Sequence, residues 1–343
     1  MPPAVTYWTG IWDPTREALS KEVAALRATL SPRSPVVSFS RGQRTRLSPR
    51  GGVVRLSSNR WLLLRALAAA IEPMGRVTHV LGEFGPWHLL RAVGRRPVIC
   101  TVAIDGPGIE KRLYDKVSVF AAETDSLARA LIQAGVAPER VRVIYPGVDL
   151  RRFQPAPLPS APPLRLLFAS TPANPAEFDV RGIPLLIEAA RQCPDVQVTL
   201  LWRQWGDLRS AARAFASLRL PSNVEVVHRD VENMTDVYNA AHATVCLYAK
   251  GFGKSCPQSI IESLACGRPV LITGSCGVAA VVEGSGAGVV VEPSVDEVIR
   301  GIRQLAGSIG QYGEAARAAA VKHFDVDVFC GRYRDLYREL AEA

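Results

Sequence analysis

The chain has 343 residues, of which 48% are hydrophobic and 21% charged, a composition that excludes a disordered or fibrous protein and suffices for two domains. Its net charge of +9 arises in the N-terminal part, because residues 1–155 hold 23 Lys and Arg against 12 Asp and Glu. No stretch approaches the roughly 18 apolar residues of a spanning helix, and no signal-peptide pattern is present, so we expect a cytoplasmic protein.

Short runs rich in Val, Ile and Leu alternate with helical patterns, which predicts parallel β-α-β units with helices on both faces of a sheet. A first strand is predicted before Thr9 and Gly10, and Asp13-Pro14 has the residues of a helix start. Further strands are predicted at 35–39, 77–82, 97–103, 116–121 and 141–145. The first half is therefore predicted to be one doubly wound domain.

The densest basic stretch, 41–65, has seven arginines and no acidic residue, and it runs into the apolar stretch 61–71. Such a segment could contact a membrane surface or an acidic acceptor. The alternative is a solvated arginine-rich loop that leads into a partly buried helix. Nucleic acid is not expected as a partner, because no aromatic-interleaved pattern or DNA-reading helix accompanies the charge.

Five prolines in the segment 155–163 predict a stiff linker and mark a domain boundary. The pattern then restarts, with strands predicted at 164–170, 197–202, 224–227, 243–248, 269–273 and 288–291. We therefore expect two doubly wound domains with a ligand cleft between them. The seven cysteines show no metal-ligand spacing, so we expect buried thiols and no metal site.

The strongest local pattern is the run 251–271, which predicts a glycine-rich turn, a helix from about 258 to 266 and a buried strand after Gly267. A turn at a helix N-terminus presents backbone N–H groups and the positive end of the helix dipole. The segment Ser255, Cys256, Pro257 and Gln258 could therefore receive a phosphate or a sugar hydroxyl. Glu262, one turn into the helix, could accept both hydroxyls of a ribose, or it could simply face solvent.

This run resembles the donor-site helix of the retaining glycosyltransferases of group 1, also called family 4. In that family two glutamates are separated by seven residues, and Glu262 matches the second, whereas Lys254 stands at the place of the first. The stretch 141–153 resembles the segment that joins the family's two domains, with its Pro146-Gly147 turn and Phe153.

The resemblance implies the α/β GT-B fold, in which two doubly wound Rossmann-like domains face each other across a cleft. The first domain, 1–155, would bind the acceptor, and the second, 156–322, would bind the donor. The segment 323–343 resembles the family's closing helix, which packs back toward the first domain, so its aromatic residues are expected in the core.

The resemblance also assigns roles to single residues. Arg181 matches a basic residue that holds the donor diphosphate, where a guanidinium fork suits phosphoryl oxygens without a metal. Lys254 would either meet the same diphosphate or point to solvent. His228 and Arg229 lie in the loop that corresponds to the family's base-binding loop, and Gly10 in its glycine-containing loop near the diphosphate.

Asp105 is a further candidate, because it follows the strand at 97–103 in a Gly-Pro-Gly loop. It could orient an acceptor or sugar hydroxyl, or it could cap local backbone. Many family members have a histidine at the position of Ala103. The candidate catalytic residues are thus Arg181, Lys254 and Asp105.

The implied activity is transfer of a sugar from a nucleoside-diphosphate sugar to a hydroxyl with retention of configuration, without a cofactor. UDP-linked donors are favoured over GDP-linked ones. The acceptor could be a carbohydrate, a lipid-linked compound or a small natural product, and the basic first domain could contact the inner membrane face. The fold also serves nucleotide-sugar epimerases, hydrolases and phosphorylases. Lys254 and Ala103 leave a non-catalytic nucleotide-sugar-binding protein as a further alternative.

Overall fold

A computed structural model of the chain describes residues 4–40, 44–48, 51–82, 87–104, 108–170, 172, 174–202, 208–249 and 254–342. The chain divides into two compact units, the first comprising Met1–Gly147 with Val326–Ala343 and the second comprising Val148–Asp325. The division after residue 147 lies ahead of the proline-rich segment at which we placed the boundary, 155.

The first unit contains an eight-stranded sheet in the order β3-β4-β2-β1-β5-β6-β7-β8. Its strands are β1 Val5–Thr9, β2 Val36–Ser40, β3 Arg46–Ser48, β4 Val53–Ser57, β5 Val77–Leu81, β6 Val98–Val102, β7 Val119–Ala122 and β8 Val141–Val143. All neighbours pair in parallel except β3 and β4, which are antiparallel. The predicted doubly wound sheet is confirmed.

Among the described residues of this unit, five α-helices cover the sheet on its two faces, as parallel strands require. They are α1 Ala18–Leu30, α2 Trp61–Ile71, α3 His88–Ala92, α4 Asp125–Gln133 and α13 Val326–Glu342. Helices α1 and α13 share one core cluster with β1 and β5, whereas α2, α3 and α4 build the cluster on the other face. The aromatic residues Phe329, Tyr333 and Tyr337 of α13 are buried in that first cluster, as predicted.

The arginine-rich stretch is not simply a solvated loop, because it contributes the last two strands at one side of the sheet, of which β3 is the edge strand. Arg46–Ser48 pairs antiparallel with Val53–Ser57, and the latter continues the sheet in parallel beside β2. The run Val53-Val54 supplies the β-branched residues of the inner strand. Sequence reasoning missed the hairpin because arginine, serine and glycine dominate the segment around it. The partly buried helix predicted after it is confirmed as α2.

A chain of buried hydroxyl and imidazole groups joins α13 to the sheet. The Nδ1 atom of His79 lies 2.7 Å from the Tyr337 hydroxyl, and its Nε2 atom lies 2.7 Å from the Thr101 hydroxyl. Thr101 also hydrogen-bonds the Tyr333 hydroxyl at 2.7 Å. Burial lowers the pKa of His79 to about 3, so this imidazole is neutral in the folded unit and has a structural role.

The neutral His79 predicts that the first unit loses stability in acid. An unfolded histidine titrates near 6.5, so the unfolded chain takes up the proton first as the pH falls toward the folded pKa of about 3. The stability that the neutral His79 contributes is thus fully present above about pH 6.5 and is lost as the pH falls below that value. From this group we expect the unfolding free energy to fall by about 2 kcal/mol between pH 7 and pH 5.

Urea unfolding of the wild type, His79→Gln and the exposed-site control His228→Gln at both pH values measures this effect. The pH dependence should shrink in His79→Gln and persist in His228→Gln. An equal dependence in all three proteins would assign it to other groups.

The second unit contains a six-stranded, wholly parallel sheet in the order β11-β10-β9-β12-β13-β14. Its strands are β9 Leu164–Phe168, β10 Val196–Trp202, β11 Val224–His228, β12 Ala243–Cys246, β13 Val270–Thr273 and β14 Gly288–Val291. Its helices are α5 Glu177–Val180, α6 Ile183–Arg191, α7 Leu208–Ser217, α8 Met234–Asn239, α9 Gln258–Ala265, α10 Ala279–Ser285, α11 Val295–Gly307 and α12 Ile309–His323. The predicted second sheet is confirmed.

The proline-rich segment 155–163 is held against the second unit by side-chain donors. The Nη2 atom of the buried Arg268 donates to the carbonyls of Ala156 and Pro157, at 2.9 and 3.1 Å. His242 donates from Nε2 to the carbonyl of Pro159 at 3.0 Å while its Nδ1 accepts the amide of Arg165 at 2.9 Å. The two side chains thereby satisfy backbone carbonyls in a segment that has few N–H donors of its own, because proline has none.

All seven cysteines are buried and unbridged, as expected of small hydrophobic residues. Within the described ranges, no helix is long and apolar enough to cross a bilayer.

Candidate functional site

Several of the predicted donor-site residues follow the carboxyl ends of strands in the second sheet. The strand order reverses between β9 and β12, and ligands of open parallel sheets bind at the carboxyl ends of strands beside such a reversal. Ser170 follows β9 there, and Tyr248 follows β12. Thr273, at the end of β13, donates its hydroxyl to the Tyr248 carbonyl at 2.7 Å, which fixes the backbone after β12.

Arg181 is held at this edge by a carboxylate and two hydroxyls. Its Nε and Nη2 atoms contact Oε2 of Glu177 at 2.8 and 2.7 Å. Its Nη1 atom donates to the Ser170 hydroxyl at 2.6 Å and to the Tyr248 hydroxyl at 3.2 Å. These partners hold the guanidinium in position, and 17% of the Arg181 side chain stays exposed.

Tyr248 supports Arg181 in two ways. Its ring lies 5.7 Å from the guanidinium carbon, and its hydroxyl also hydrogen-bonds Ser170. Burial raises the pKa of Tyr248, so its phenol stays protonated and neutral. Ser170 therefore serves as a hydroxyl partner of Arg181.

Gly182 allows the chain to turn directly after Arg181. Its φ is +70°, a left-handed conformation that favours glycine, and it precedes the first residue of α6. A Cβ at this position would lie 2.4 Å from the carbonyl oxygen of Leu247. The amide of Ala249 meanwhile donates to the carbonyl of Val180 at 2.8 Å. The turn that carries Arg181 is thus locked against the chain that follows β12.

Glu262 lies on α9 and is almost fully buried, with 5% of its surface exposed. The Tyr238 hydroxyl donates to its Oε2 atom at 2.9 Å. The alternative of a solvent-facing glutamate is therefore wrong. A buried carboxylate requires hydrogen-bond donors, and Tyr238 on α8 supplies one of them.

The segment 254–258 forms the entrance to α9. Ser255 and Cys256 are buried, and Lys254 and Gln258 are half-buried. Pro257 is the N-cap in an extended conformation, so the helix begins at Gln258, and the Ile260 amide donates to the Pro257 carbonyl at 3.0 Å. The glycine-rich turn that precedes Lys254, at 250–253, lies outside the described residues.

His228 and Arg229 lie at the carboxyl end of β11 and are both exposed. The His228 ring is 6.3 Å from the ring of Trp202, its register partner on β10. Arg229 borders a cavity of about 370 Å³, together with Thr199 and Val227 of the neighbouring strands. The predicted base-binding loop is therefore accessible.

Two candidates belong to the first unit. Gly10 follows β1, and a Cβ there would lie 2.5 Å from the carbonyl oxygen of Gly82, so the close approach of two loops requires glycine. Asp105 lies outside the described residues. Within the part of the chain that is described, no group of three His, Cys, Asp or Glu side chains could hold a metal ion.

Sequence reasoning missed the partners of the predicted residues. Glu177 pairs with Arg181 across one turn, an i,i+4 spacing visible in the sequence once a helix is placed at 177–180. No spacing in the sequence indicated Tyr248 or Tyr238 as partners. Only the fold brings Tyr248 to Arg181 and Tyr238 to Glu262.

Comparison with known proteins finds a family model that matches most of the second unit. Residues 165–308 match the sequence model described as glycosyl transferases group 1. D-inositol 3-phosphate glycosyltransferase of Mycobacterium marinum is 24% identical over 284 residues, which is 80% of this chain and 57% of that protein. The enzyme of the same name from Thermobispora bispora is 28% identical over 261 residues, 68% of this chain and 58% of that protein. The chain thus spans little more than half the length of these curated relatives.

Solved structures share the fold of the whole chain. HepE of Anabaena, in complex with UDP and glucose, has a TM-score of 0.76 at 17% identity and is matched over 98% of this chain and 100% of its own. WaaG, a glycosyltransferase involved in lipopolysaccharide biosynthesis, has a TM-score of 0.70 at 14% identity, over 97% and 99%. Residues 165–308 thus match the model of the glycosyl transferases of group 1, and the chain has the GT-B fold.

Proposed function

We propose that the protein transfers a sugar from a nucleoside-diphosphate sugar to a hydroxyl acceptor, with retention of anomeric configuration. The observation that carries this proposal is the fixed guanidinium of Arg181 at the carboxyl edge of β9 and β12, inside the segment that matches the group 1 family. UDP is the favoured nucleotide, since a structural relative, HepE, was solved with UDP and glucose.

In this proposal the second unit stabilises the departing diphosphate. Negative charge develops on the leaving group as the bond between the anomeric carbon and the phosphate oxygen breaks, and fixed cations nearby lower the barrier. Arg181 supplies a planar fork for phosphoryl oxygens, and Lys254 supplies a second cation. Amides at the entrance of α9 add donors from the positive end of the helix dipole. The neutralisation is thus assigned to side chains and backbone of the protein, without a metal or a cofactor.

Other residues would position the nucleotide. Glu262, oriented by Tyr238, would accept the ribose hydroxyls, because an ionised carboxylate offers acceptors only. The exposed loop with His228 and Arg229 would hold the base. Gly10 and Asp105 of the first unit are proposed to contact the diphosphate and to orient a hydroxyl, respectively. Catalysis would then come mainly from positioning and leaving-group electrostatics.

A transfer assay tests the proposal and separates it from its alternatives. The chain is incubated with UDP-glucose and other nucleotide sugars, with and without a panel of polyol, saccharide and lipid-linked acceptors, and UDP release is followed. Acceptor-dependent release supports transfer, and NMR of the product reports retention or inversion. Release or isomerisation without acceptor would instead indicate a hydrolase or an epimerase. Donor binding without turnover across the panel would indicate a non-catalytic protein.

We also propose that the protein is cytoplasmic and contacts membranes peripherally through the first unit. Leu62 of α2 is 79% exposed and Leu63 is 42% exposed, directly after the arginine-rich hairpin. Apolar side chains beside cationic ones favour an anionic lipid surface. Co-sedimentation with anionic vesicles that weakens at high salt would support this contact. An absence of co-sedimentation at low salt would contradict it.

A further inference from the structure

Three ring side chains meet where strands of the first sheet end. Phe39 is the second-last residue of β2, Trp61 begins α2 shortly after β4, and His88 begins α3 after β5. The centroid of the His88 ring lies 5.2 Å from that of Trp61 and 5.5 Å from that of Phe39, with the Phe39 and His88 rings in an edge arrangement. Strands β2, β4 and β5 run in the same direction, so the three rings lie at the carboxyl edge of the sheet, where such folds bind ligands.

His88 differs from the two histidines that have a structural role. Both ring nitrogens of His79 are hydrogen-bonded to hydroxyl groups, and both ring nitrogens of His242 are hydrogen-bonded to the backbone. The half-buried His88, in contrast, makes no hydrogen bond or ion pair with any residue that the structure describes. A half-buried polar ring without a protein partner takes its hydrogen bonds from water or from a ligand.

The surroundings of His88 favour its neutral form. Partial burial lowers the pKa of the imidazole, and the positive charge of Arg91, one turn later on α3, lowers it further. A neutral imidazole has one N–H donor and one acceptor nitrogen, which match a hydroxyl group that also donates and accepts. The neighbouring Trp61 is half-buried as well, so part of its side chain stays accessible beside the imidazole. The group thus offers a hydrogen-bonding ring next to an aromatic surface.

We propose that Trp61 and His88 bind a saccharide acceptor, with a sugar ring against the indole and one of its hydroxyls hydrogen-bonded to the imidazole. The C–H groups of a pyranose form an apolar face and its rim carries hydroxyls, so it suits an aromatic surface beside a single polar group. This inference rests on the proposed glycosyl transfer, because it names the class of acceptor. The saccharide is either free or the headgroup of a glycolipid, since both present the same ring.

Saturation-transfer NMR titrations of the full chain in the presence of UDP test the site. The probes are the methyl pyranosides of glucose, galactose and mannose, together with sorbitol, which has hydroxyls but no ring. At least one pyranoside should bind, and sorbitol should bind at least about fivefold more weakly than that pyranoside. Trp61→Ala and His88→Ala should each weaken the binding of the pyranoside at least about fivefold.

Further variants separate ligand binding from disturbed packing. Trp61→Phe keeps an aromatic ring and His88→Gln keeps a hydrogen-bonding group, so both should bind the pyranoside more tightly than the alanine variants. The matched control is Tyr114→Ala, which removes a partly buried ring from the same core cluster. Tyr114 precedes β7 and therefore lies at the amino edge of the sheet, so this variant should bind the pyranoside like the wild type.

Three results would overturn the proposal: no pyranoside binds, sorbitol binds as tightly as the pyranosides, or Trp61→Ala and His88→Ala behave like Tyr114→Ala. A UDP titration in the same proteins keeps the two claims apart. Pyranoside binding that is lost in His88→Ala while UDP binding persists supports the site. Pyranoside binding without any UDP binding would contradict the proposed transfer but not the saccharide site.

An octyl chain on the probe distinguishes the two sources of the saccharide. Leu62, which follows Trp61 on α2, is 79% exposed and is available to an alkyl chain. The octyl glycoside of the pyranoside that binds, kept below its micelle concentration, is compared with the methyl glycoside in the wild type and in Leu62→Ser. Tighter binding of the octyl glycoside that Leu62→Ser removes assigns a glycolipid headgroup. Equal binding of the two glycosides assigns a free saccharide, and a gain that is unchanged in Leu62→Ser would contradict a lipid chain at this helix.

Discussion

Arg181→Ala is expected to weaken the binding of UDP about 100-fold. The guanidinium would make two charge-assisted hydrogen bonds to the diphosphate, and each is worth about 1.5 kcal/mol at the lower end of its range. Arg181→Lys should recover only part of the loss, because lysine keeps the charge but lacks the planar fork. Calorimetric titration of UDP into the three proteins measures these affinities.

Two further variants separate ligand binding from local disruption. Arg181→Ala leaves the Glu177 carboxylate half-buried without this partner, so the double variant Glu177→Ala/Arg181→Ala removes both charges. If UDP binding is equally weak in the double variant, the lost affinity is due to the missing Arg181 guanidinium and not to an unpaired Glu177 carboxylate. The control Arg191→Ala breaks a comparable Arg–Glu pair on the exposed surface of α6 and should bind UDP normally. Normal binding in Arg181→Ala would remove this residue from the donor site.

Gly182→Ala is expected to destabilise the second unit by about 3 kcal/mol, the sum of left-handed strain and the displacement of a backbone neighbour. The new Cβ would lie 2.4 Å from the Leu247 carbonyl oxygen. Neither atom can move away by a side-chain rotation, because the Cβ is fixed by the backbone and the oxygen is part of it. For a unit of this size, that loss lowers the unfolding midpoint by roughly 6–12 °C. Differential scanning calorimetry measures the shift.

Gly310→Ala is the matched control for this substitution. Gly310 lies in α12 of the same unit, and a Cβ there would have no atom within 4 Å. Alanine in a helix is favoured over glycine, so the midpoint should stay or rise slightly. A midpoint of Gly182→Ala that matches the wild type would show that the turn beside Arg181 relaxes freely. The rigid placement of that guanidinium would then be wrong.

The sequence predicted the two sheets well because their inner strands are unambiguous. Runs such as 97–103 and 269–273 are apolar except for Thr101 and Thr273, as in strands buried on both faces, and no competing pattern overlaps them. The β3–β4 hairpin escaped prediction because an edge strand needs few apolar residues, and only pairing with β2 brings Val53 and Val54 into the sheet. Local composition does not report such pairing.

The candidate residues of the donor site could be predicted from the sequence, but the side chains that contact them could not. Arg181 and Glu262 were found from motif positions in one chain segment each. Their partners Tyr248 and Tyr238 come from elements 67 and 24 residues away, which only the strand order brings together. The role of each residue toward a ligand stays a prediction, and the contribution of Asp105 lies outside the described residues.

The most direct test of the donor site is a thermal-shift panel of UDP, GDP, ADP, TDP and their common sugars on the wild type, Arg181→Ala and Glu262→Ala. A ligand that binds only the folded state raises the unfolding midpoint by mass action. We predict a shift selective for UDP and UDP-sugars in the wild type that is lost in both variants. No shift with any nucleotide, or an undiminished shift in both variants, would contradict a nucleotide-sugar site at the carboxyl edge of the second sheet.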